Sequence, residues 1–185
     1  MFNKLNYFSV VLIVCFFSSP CVADNHKGGD FMGPTIDLGC VVSDINGSVK
    51  FYTEAIGFKV VGGFKVPSDF AENAGLTASK ELDIKVLSLG GAEGEGVTKL
   101  KLMEVKGSGG KADQSYIDST LGFSYITIFV KDTDKALARL KKAGVKPIAK
   151  GPVTLPNNLD PSLSLTIVRD PDGNFVELVG PKPKK

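Results

Sequence analysis

Histidine is nearly absent from this 185-residue chain, and the shortage excludes several classes of catalytic and metal site. The chain has one histidine, His26, in the polar stretch DNHKGGDFMGP. A disordered leader near the N-terminus is the simplest expectation for such a stretch. Without an imidazole in a folded domain, the sequence argues against Ser–His–Asp and Cys–His nucleophilic catalysis. It also argues against zinc sites with histidine ligands and iron sites with two histidines and a carboxylate.

Long apolar runs are also lacking, since a transmembrane helix needs about 20 apolar residues. The longest run covers residues 8–17, after Lys4 as the only preceding charge. Small residues follow it as far as Ala23. This pattern predicts a signal peptide over residues 1–23, a secreted or periplasmic product that is not an integral membrane protein, and a flexible leader over residues 24–34. The alternative is a lipoprotein anchored through Cys21, which the proline before it disfavours.

Cysteine is scarce, and no disulfide is predicted. Of the three cysteines, Cys15 and Cys21 fall in the predicted signal peptide, so Cys40 stands alone in the mature chain. The alternation around Cys40 places it on the helix-facing side of a strand. We therefore expect a small buried apolar residue there rather than a nucleophile.

The chain also has no large excess of positive or negative charge, because it contains 22 basic and 20 acidic residues. Nucleic-acid binding needs clustered positive charge. The only basic cluster is the tail at residues 181–185, which is expected to be a solvated terminus. The sequence therefore predicts no nucleic-acid partner.

What the chain does contain is a strand–helix–three-strand pattern over residues 35–106. Residues 36–43 alternate as a strand, Asp44 is placed to cap a helix, and Gly57 is placed to end it. Strands are then predicted in FKVVGGF, LDIKVLSL and TKLKLMEV. The first module therefore has the order βαβββ.

The same order recurs over residues 116–180, after the glycine-rich linker at 107–115. A strand in FSYITIFV precedes a helix that begins after Asp132 and stops at Gly144. Strands are predicted in VKPIA, SLTIV and NFVELV. Two such modules predict an α+β fold with mostly antiparallel sheets and helices on one face.

Two segments, VSDINGSVKFYTEAIGFKVV and DPDGNFVELV, resemble the glyoxalase, bleomycin-resistance and extradiol-dioxygenase superfamily, the vicinal oxygen chelate (VOC) fold. The resemblance covers residues 35–180. It implies that the sheets of two βαβββ modules curl into one cup. In that family the cup usually holds a divalent metal, bound by one residue from the first and one from the fourth strand of each module. The corresponding residues here are Asp37, Lys101, Tyr125 and Glu177, of which only Glu177 has the usual identity.

Lys101 decides which chemistry the resemblance implies. A lysine ammonium about 4 Å from a divalent ion would be repelled by about 8 kcal/mol at an effective dielectric constant near 20. We therefore predict no metal or other cofactor and expect Lys101 to lie between Asp37 and Glu177, where its charge offsets theirs. The alternative keeps a divalent metal on Asp37, Tyr125 and Glu177.

A plainer interpretation exists for each of these residues. Asp37 can be a surface carboxylate at a strand start, Lys101 an exposed lysine, and Tyr125 a half-buried strand aromatic. The segment DPDGN is most simply the tight turn between the last two strands.

Two functions follow from the resemblance. The first is a bleomycin-resistance-like protein that binds a small molecule in the cup without a metal. The alternative is a glyoxalase-like lyase, an isomerase or a dioxygenase in which Glu177 and Lys101 are catalytic. A monomer and a homodimer are both compatible with the sequence. The predicted ligand-binding residues are Asp37, Lys101, Met103, Tyr125, Phe129 and Glu177, with Val41 and Phe175 adding apolar surface.

Overall fold

The structure is a computed structural model that describes residues 35–94 and 96–184. The predicted signal peptide, the leader at 24–34 and the last residue of the basic tail lie outside these residues. Across the described part of the chain, no helix combines the length and apolar character needed to cross a membrane.

The first module follows the predicted order with one addition. A short helix that the sequence did not predict, α2, joins the second and third strands, and its six residues are too few to show a helical period. The elements are β1 (Leu38–Val41), α1 (Ile45–Lys50) continuing as a π-helix (Phe51–Ile56), β2 (Phe58–Val66), α2 (Ser68–Asn73), β3 (Leu82–Leu89) and β4 (Leu100–Glu104).

The second module repeats this order, but one of its predicted strands is wrong. VKPIA forms no strand, because Pro147 has no N–H to donate, and the segment keeps one backbone hydrogen bond to the neighbouring strand, from Ile148 N–H to the Ile167 carbonyl at 2.9 Å. A two-residue strand forms further along instead. The elements are β5 (Tyr125–Phe129), α3 (Thr133–Lys142), β6 (Val153–Thr154), β7 (Leu163–Arg169) and β8 (Phe175–Pro181).

Each module builds its own four-stranded mixed sheet. Sheet 1 has the order β1-β4-β3-β2 and sheet 2 the order β5-β8-β7-β6. The first and last strand of each module run parallel, and the other neighbours run antiparallel. The predicted α+β fold with two βαβββ modules is confirmed.

The ends of the main helices are set by residues that the sequence identified. The Asp44 carboxylate accepts a hydrogen bond from Asn46 N–H at 2.9 Å, and the Asp132 carboxylate accepts one from Lys135 N–H at 3.0 Å. Gly57 adopts a left-handed conformation, with φ of 102°, where a side chain would be strained. These capped helices lie over one face of the sheets.

The core lies between the helices and the faces of the sheets that they cover. Apolar residues from both modules join in one cluster there, so the modules share a core. We call the face of each sheet that points away from α1 and α3 its helix-free face; it carries the alternate residues of each strand. The sheet residues of the shared core include Leu38, Cys40, Leu87, Leu100, Leu102, Ile126, Ile128, Val168, Val176 and Leu178.

Candidate functional site

Lys101 lies in the middle of the helix-free face of sheet 1. Its neighbours in β4, Leu100 and Leu102, point into the shared core, so its side chain points the other way. In register it stands between Gly39 on β1 and Val86 on β3. This position is set by strand alternation, which the sequence predicted.

The Lys101 ammonium forms an ion pair with Asp37. Lys101 Nζ lies 2.8 Å from Asp37 Oδ2, and the two side chains are 31% and 37% exposed. Asp37 Oδ1 also accepts a hydrogen bond from Lys99 N–H at 2.9 Å. The hydrogen bond from Lys101 is the main cause that holds the pKa of Asp37 below its ordinary value of 3.8. Asp37 is therefore ionised at neutral pH.

Glu177 occupies the equivalent place on sheet 2. Its carboxylate Oε2 accepts a hydrogen bond from Thr127 Oγ1 at 2.7 Å, since the two residues are in register on β8 and β5. Within residues 35–94 and 96–184, Lys101 forms an ion pair with Asp37 but none with Glu177. Of the predicted Asp37–Lys101–Glu177 arrangement, the described residues contain the Lys101–Asp37 pair, whereas Glu177 is bonded to Thr127 of its own sheet.

The predicted apolar residues are divided between the two sheets. Tyr125 and Phe129 lie beside Thr127 on the helix-free face of β5, where they are 50% and 77% exposed. Met103 lies on sheet 1 and is partly buried against Ile84. Phe175 is buried under the guanidinium of Arg169, whose Cζ is 4.1 Å from the ring centroid. Phe175 therefore offers little surface to a ligand.

The candidate residues on the helix-free faces of the two sheets do not fit a divalent cation. Asp37 is already paired with an ammonium, and Glu177 holds the Thr127 hydroxyl. Among the described residues, no three His, Cys, Asp or Glu side chains converge as a metal site would require. A cation placed beside Asp37 would have to displace Lys101 against its charge.

Asp170 is a buried residue of the DPDGN turn whose importance sequence reasoning missed. Its carboxylate accepts hydrogen bonds from the backbone N–H groups of Asp172 and Asn174, at 3.0 and 2.8 Å, and from Asn174 Nδ2 at 2.8 Å. It also accepts one from the hydroxyl of Tyr52, in the first module, at 3.0 Å. The turn therefore joins the two modules as well as reversing the chain.

The Tyr52 hydroxyl keeps its proton and is therefore always the donor of that hydrogen bond. Burial, and next the negative charge of Asp170, raise the pKa of Tyr52 well above its ordinary value of 10.0. The phenol therefore stays protonated in the folded protein. The signal in the sequence was a tyrosine on the apolar helix stripe, because a buried hydroxyl needs a partner.

Cys40 is partly buried, and burial raises the pKa of its thiol from 9.0 to about 11, with Asp170 contributing next. We expect its reaction with dithionitrobenzoate at pH 8 to be about 100-fold slower than in the unfolded chain, because a pKa two units higher leaves that much less thiolate. The measurement uses the chain with Cys15 and Cys21 replaced by serine, with and without urea. Equal rates in the two states would contradict the prediction.

Comparisons with known proteins agree with this architecture. A family model described as the Glyoxalase/Bleomycin resistance protein/Dioxygenase superfamily matches residues 37–178. A glyoxalase family protein from Bacillus cereus is similar at 20% identity and a TM-score of 0.64, over 83% of this chain and 97% of that one. The trypanothione-dependent glyoxalase I of Leishmania major is similar at 26% identity and a TM-score of 0.52, over 78% of this chain and 84% of that one.

An antibiotic-binding protein from Streptomyces, TnmS3, is also similar in structure. The identity is 21% and the TM-score 0.50, over 80% of this chain and 93% of that one. No curated protein matches the sequence. At identities below 25% the structural likeness establishes the fold alone.

Proposed function

The chain belongs to the Glyoxalase/Bleomycin resistance protein/Dioxygenase superfamily. From that premise we propose that it binds a small molecule without a metal and does not catalyse a metal-dependent reaction. The ligand site is the helix-free face of sheet 1. Lys101 supplies there the positive charge that a divalent ion supplies in metal-dependent relatives. The predicted signal peptide would make the ligand one that the protein meets outside the cytoplasm.

The ion pair between Lys101 and Asp37 is the observation that carries this proposal. It joins the two sheet 1 positions at which the family resemblance implies metal ligands, with 2.8 Å between Lys101 Nζ and Asp37 Oδ2. An ammonium at that place repels a divalent ion by several kcal/mol. Counting its contacts with the described residues, the same ammonium keeps two N–H groups that can donate to a ligand.

The surroundings of the pair suit an organic molecule. Val86 and Met103 flank Lys101 on the same face, and Val41 stands 52% exposed beside them. Binding sites for small molecules are mostly apolar, with a few polar groups that fix orientation. The Lys101–Asp37 pair supplies those polar groups.

The exposed aromatic face of sheet 2 favours a homodimer over a monomer. Phe129 is 77% exposed, and both Leu121 and Phe123 are fully exposed in the segment before β5. Large apolar side chains this exposed are common at association surfaces. A second copy of the chain that covers them would also enclose the neighbouring Glu177.

We expect ligand binding to be independent of divalent metal. The probe is the neutral fluorophore phenylnaphthylamine, and the expected result is a saturable affinity that changes less than about twofold after dialysis against EDTA. A large loss that zinc or nickel restores would contradict the proposal. Turnover of a methylglyoxal–thiol adduct that disappears in Glu177→Gln would establish the lyase alternative instead.

A further inference from the structure

We propose that the ligand is an organic anion with a flat apolar body, and that Lys101 binds its charged group. This inference rests on the proposed function and names the class of ligand for the same site. Three features of the helix-free face of sheet 1 carry it: unused donors on Lys101, space beside it, and the balance of charge on that face.

The Lys101 ammonium is partly shielded from water and only partly used. An ammonium has three N–H donors, and its contact in the described chain is the one carboxylate of Asp37. Asp37 is itself shared, because its other oxygen accepts from Lys99 N–H. Within residues 35–94 and 96–184, two donors of Lys101 are therefore left for an anionic group, and the 31% exposure of the side chain leaves them reachable.

Space beside Lys101 comes from two glycines in its own row of the sheet. Gly39, Lys101, Val86 and Gly62 are successive neighbours across β1, β4, β3 and β2. A Cβ added at Gly62 would have no atom within 4 Å, and one at Gly39 would touch only the end of the Met103 side chain, at 3.6 Å. Open space therefore lies at both ends of this row, beside Lys101 at Gly39 and beside Val86 at Gly62.

The side chains beside this row are apolar and suit a flat body. Met103, Ile84 and Phe64 are neighbours in the next row, in which Ile84 is buried, Met103 is partly buried and Phe64 is 46% exposed. An aromatic or other planar group would remove the exposed parts of Phe64 and Met103 from water, which favours its binding.

Positive charge dominates this face. Lys59 and Lys99 share it, since Lys59 is in register with Ser88 on β3 and Lys99 is two residues before Lys101. Among the described residues of the sheet 1 strands and the residue directly before each strand, Asp37 is the only carboxylate on this face. Asp83 and Glu104 lie on the opposite face, with Leu87 and Leu102. An anion is therefore attracted to the face as a whole.

A matched pair of fluorophores tests the inference. Anilinonaphthalene sulfonate carries a negative charge, and phenylnaphthylamine has the same apolar body without it. We expect Lys101→Met to weaken binding of the sulfonate about tenfold and to change binding of the neutral fluorophore less than about twofold, because only the anion uses the ammonium. Lys85→Met is the control, because Lys85 is on the opposite face of the same sheet and is likewise paired, with Asp83 at 3.2 Å.

Asp37→Asn should act in the opposite direction. Removing this carboxylate leaves the charge of Lys101 unopposed, so we expect the sulfonate to bind about threefold more tightly. A purely structural role of the ion pair would not give opposite signs, since loss of either partner would then weaken binding alike. Thermal unfolding of each variant checks that the fold is kept.

The outcomes separate this inference from the proposed function. If neither fluorophore binds saturably, the proposed function is wrong. If both bind equally well and Lys101→Met affects them equally or not at all, a small molecule binds but the anionic class is wrong. Opposite effects of Lys101→Met and Asp37→Asn on the sulfonate alone support the inference.

Discussion

Asp170→Ala is expected to lower the free energy of unfolding by about 3–5 kcal/mol, the largest effect of any single polar substitution that we foresee. Asp170 is 5% exposed, and its carboxylate accepts hydrogen bonds from Tyr52, Asp172 and Asn174. An alanine would leave these buried donors without an acceptor. Urea denaturation followed by far-UV circular dichroism measures the loss.

The chain contains a matched control for this substitution. Asp160 also precedes a proline and accepts a hydrogen bond from the N–H two residues later, Ser162, at 2.9 Å. Because Asp160 is exposed and makes no hydrogen bond to the described residues of the first module, Asp160→Ala should cost less than about 1 kcal/mol. Equal losses for Asp160→Ala and Asp170→Ala would show that only the local turn matters. Tyr52→Phe would then measure the bond between modules by itself.

Gly180→Ala is expected to destabilise the protein by about 2–3 kcal/mol, because β8 passes too close to the β5–α3 connection for any side chain. A Cβ at Gly180 would lie 2.6 Å from Val130 Cγ2, 2.7 Å from the Val130 carbonyl oxygen and 2.8 Å from Thr133 Oγ1. The carbonyl belongs to the backbone, which cannot rotate away. Urea denaturation again gives the change.

Gly62→Ala is the control for Gly180→Ala. Gly62 also lies within a strand, but a Cβ there meets no atom within 4 Å. We expect a change within about 0.5 kcal/mol, or a small gain from reduced freedom of the unfolded chain. A comparable loss at both glycines would mean that strand geometry, rather than the close approach at Val130, accounts for the effect at Gly180. The loss of stability in Gly180→Ala could then not be attributed to contact with Val130.

Local signals explain why most of the fold could be predicted. Asp44 and Asp132 cap their helices, as the sequence indicated, because a carboxylate at that place bonds to N–H groups only two or three residues away. VKPIA failed as a strand, although its apolar content suited one, because pairing depends on N–H groups that a proline lacks. The π-helix was not predicted either. Its backbone bond from Gly57 N–H to the Tyr52 carbonyl spans five residues, whereas the apolar spacing of this segment was that of an α-helix.

The candidate site, too, could be predicted from the sequence only in part. Alternation along β4 and β8 was enough to place Lys101 and Glu177 away from the core, because successive strand residues point to opposite faces. Alternation says nothing about which residues meet across separate strands. The pairing of Lys101 with Asp37, and of Glu177 with Thr127, depends on strand order and register.

The sequence by itself determined the two βαβββ modules, the caps of their helices and the direction in which each candidate side chain points, since all of these depend on neighbours a few residues away. Only the tertiary structure decided that Lys101 forms an ion pair with Asp37 and not with Glu177. Only the tertiary structure, too, decided that Asp170 joins the modules through Tyr52, 118 residues earlier. Such contacts come from the packing of distant segments, in which sequence spacing carries no information about distance.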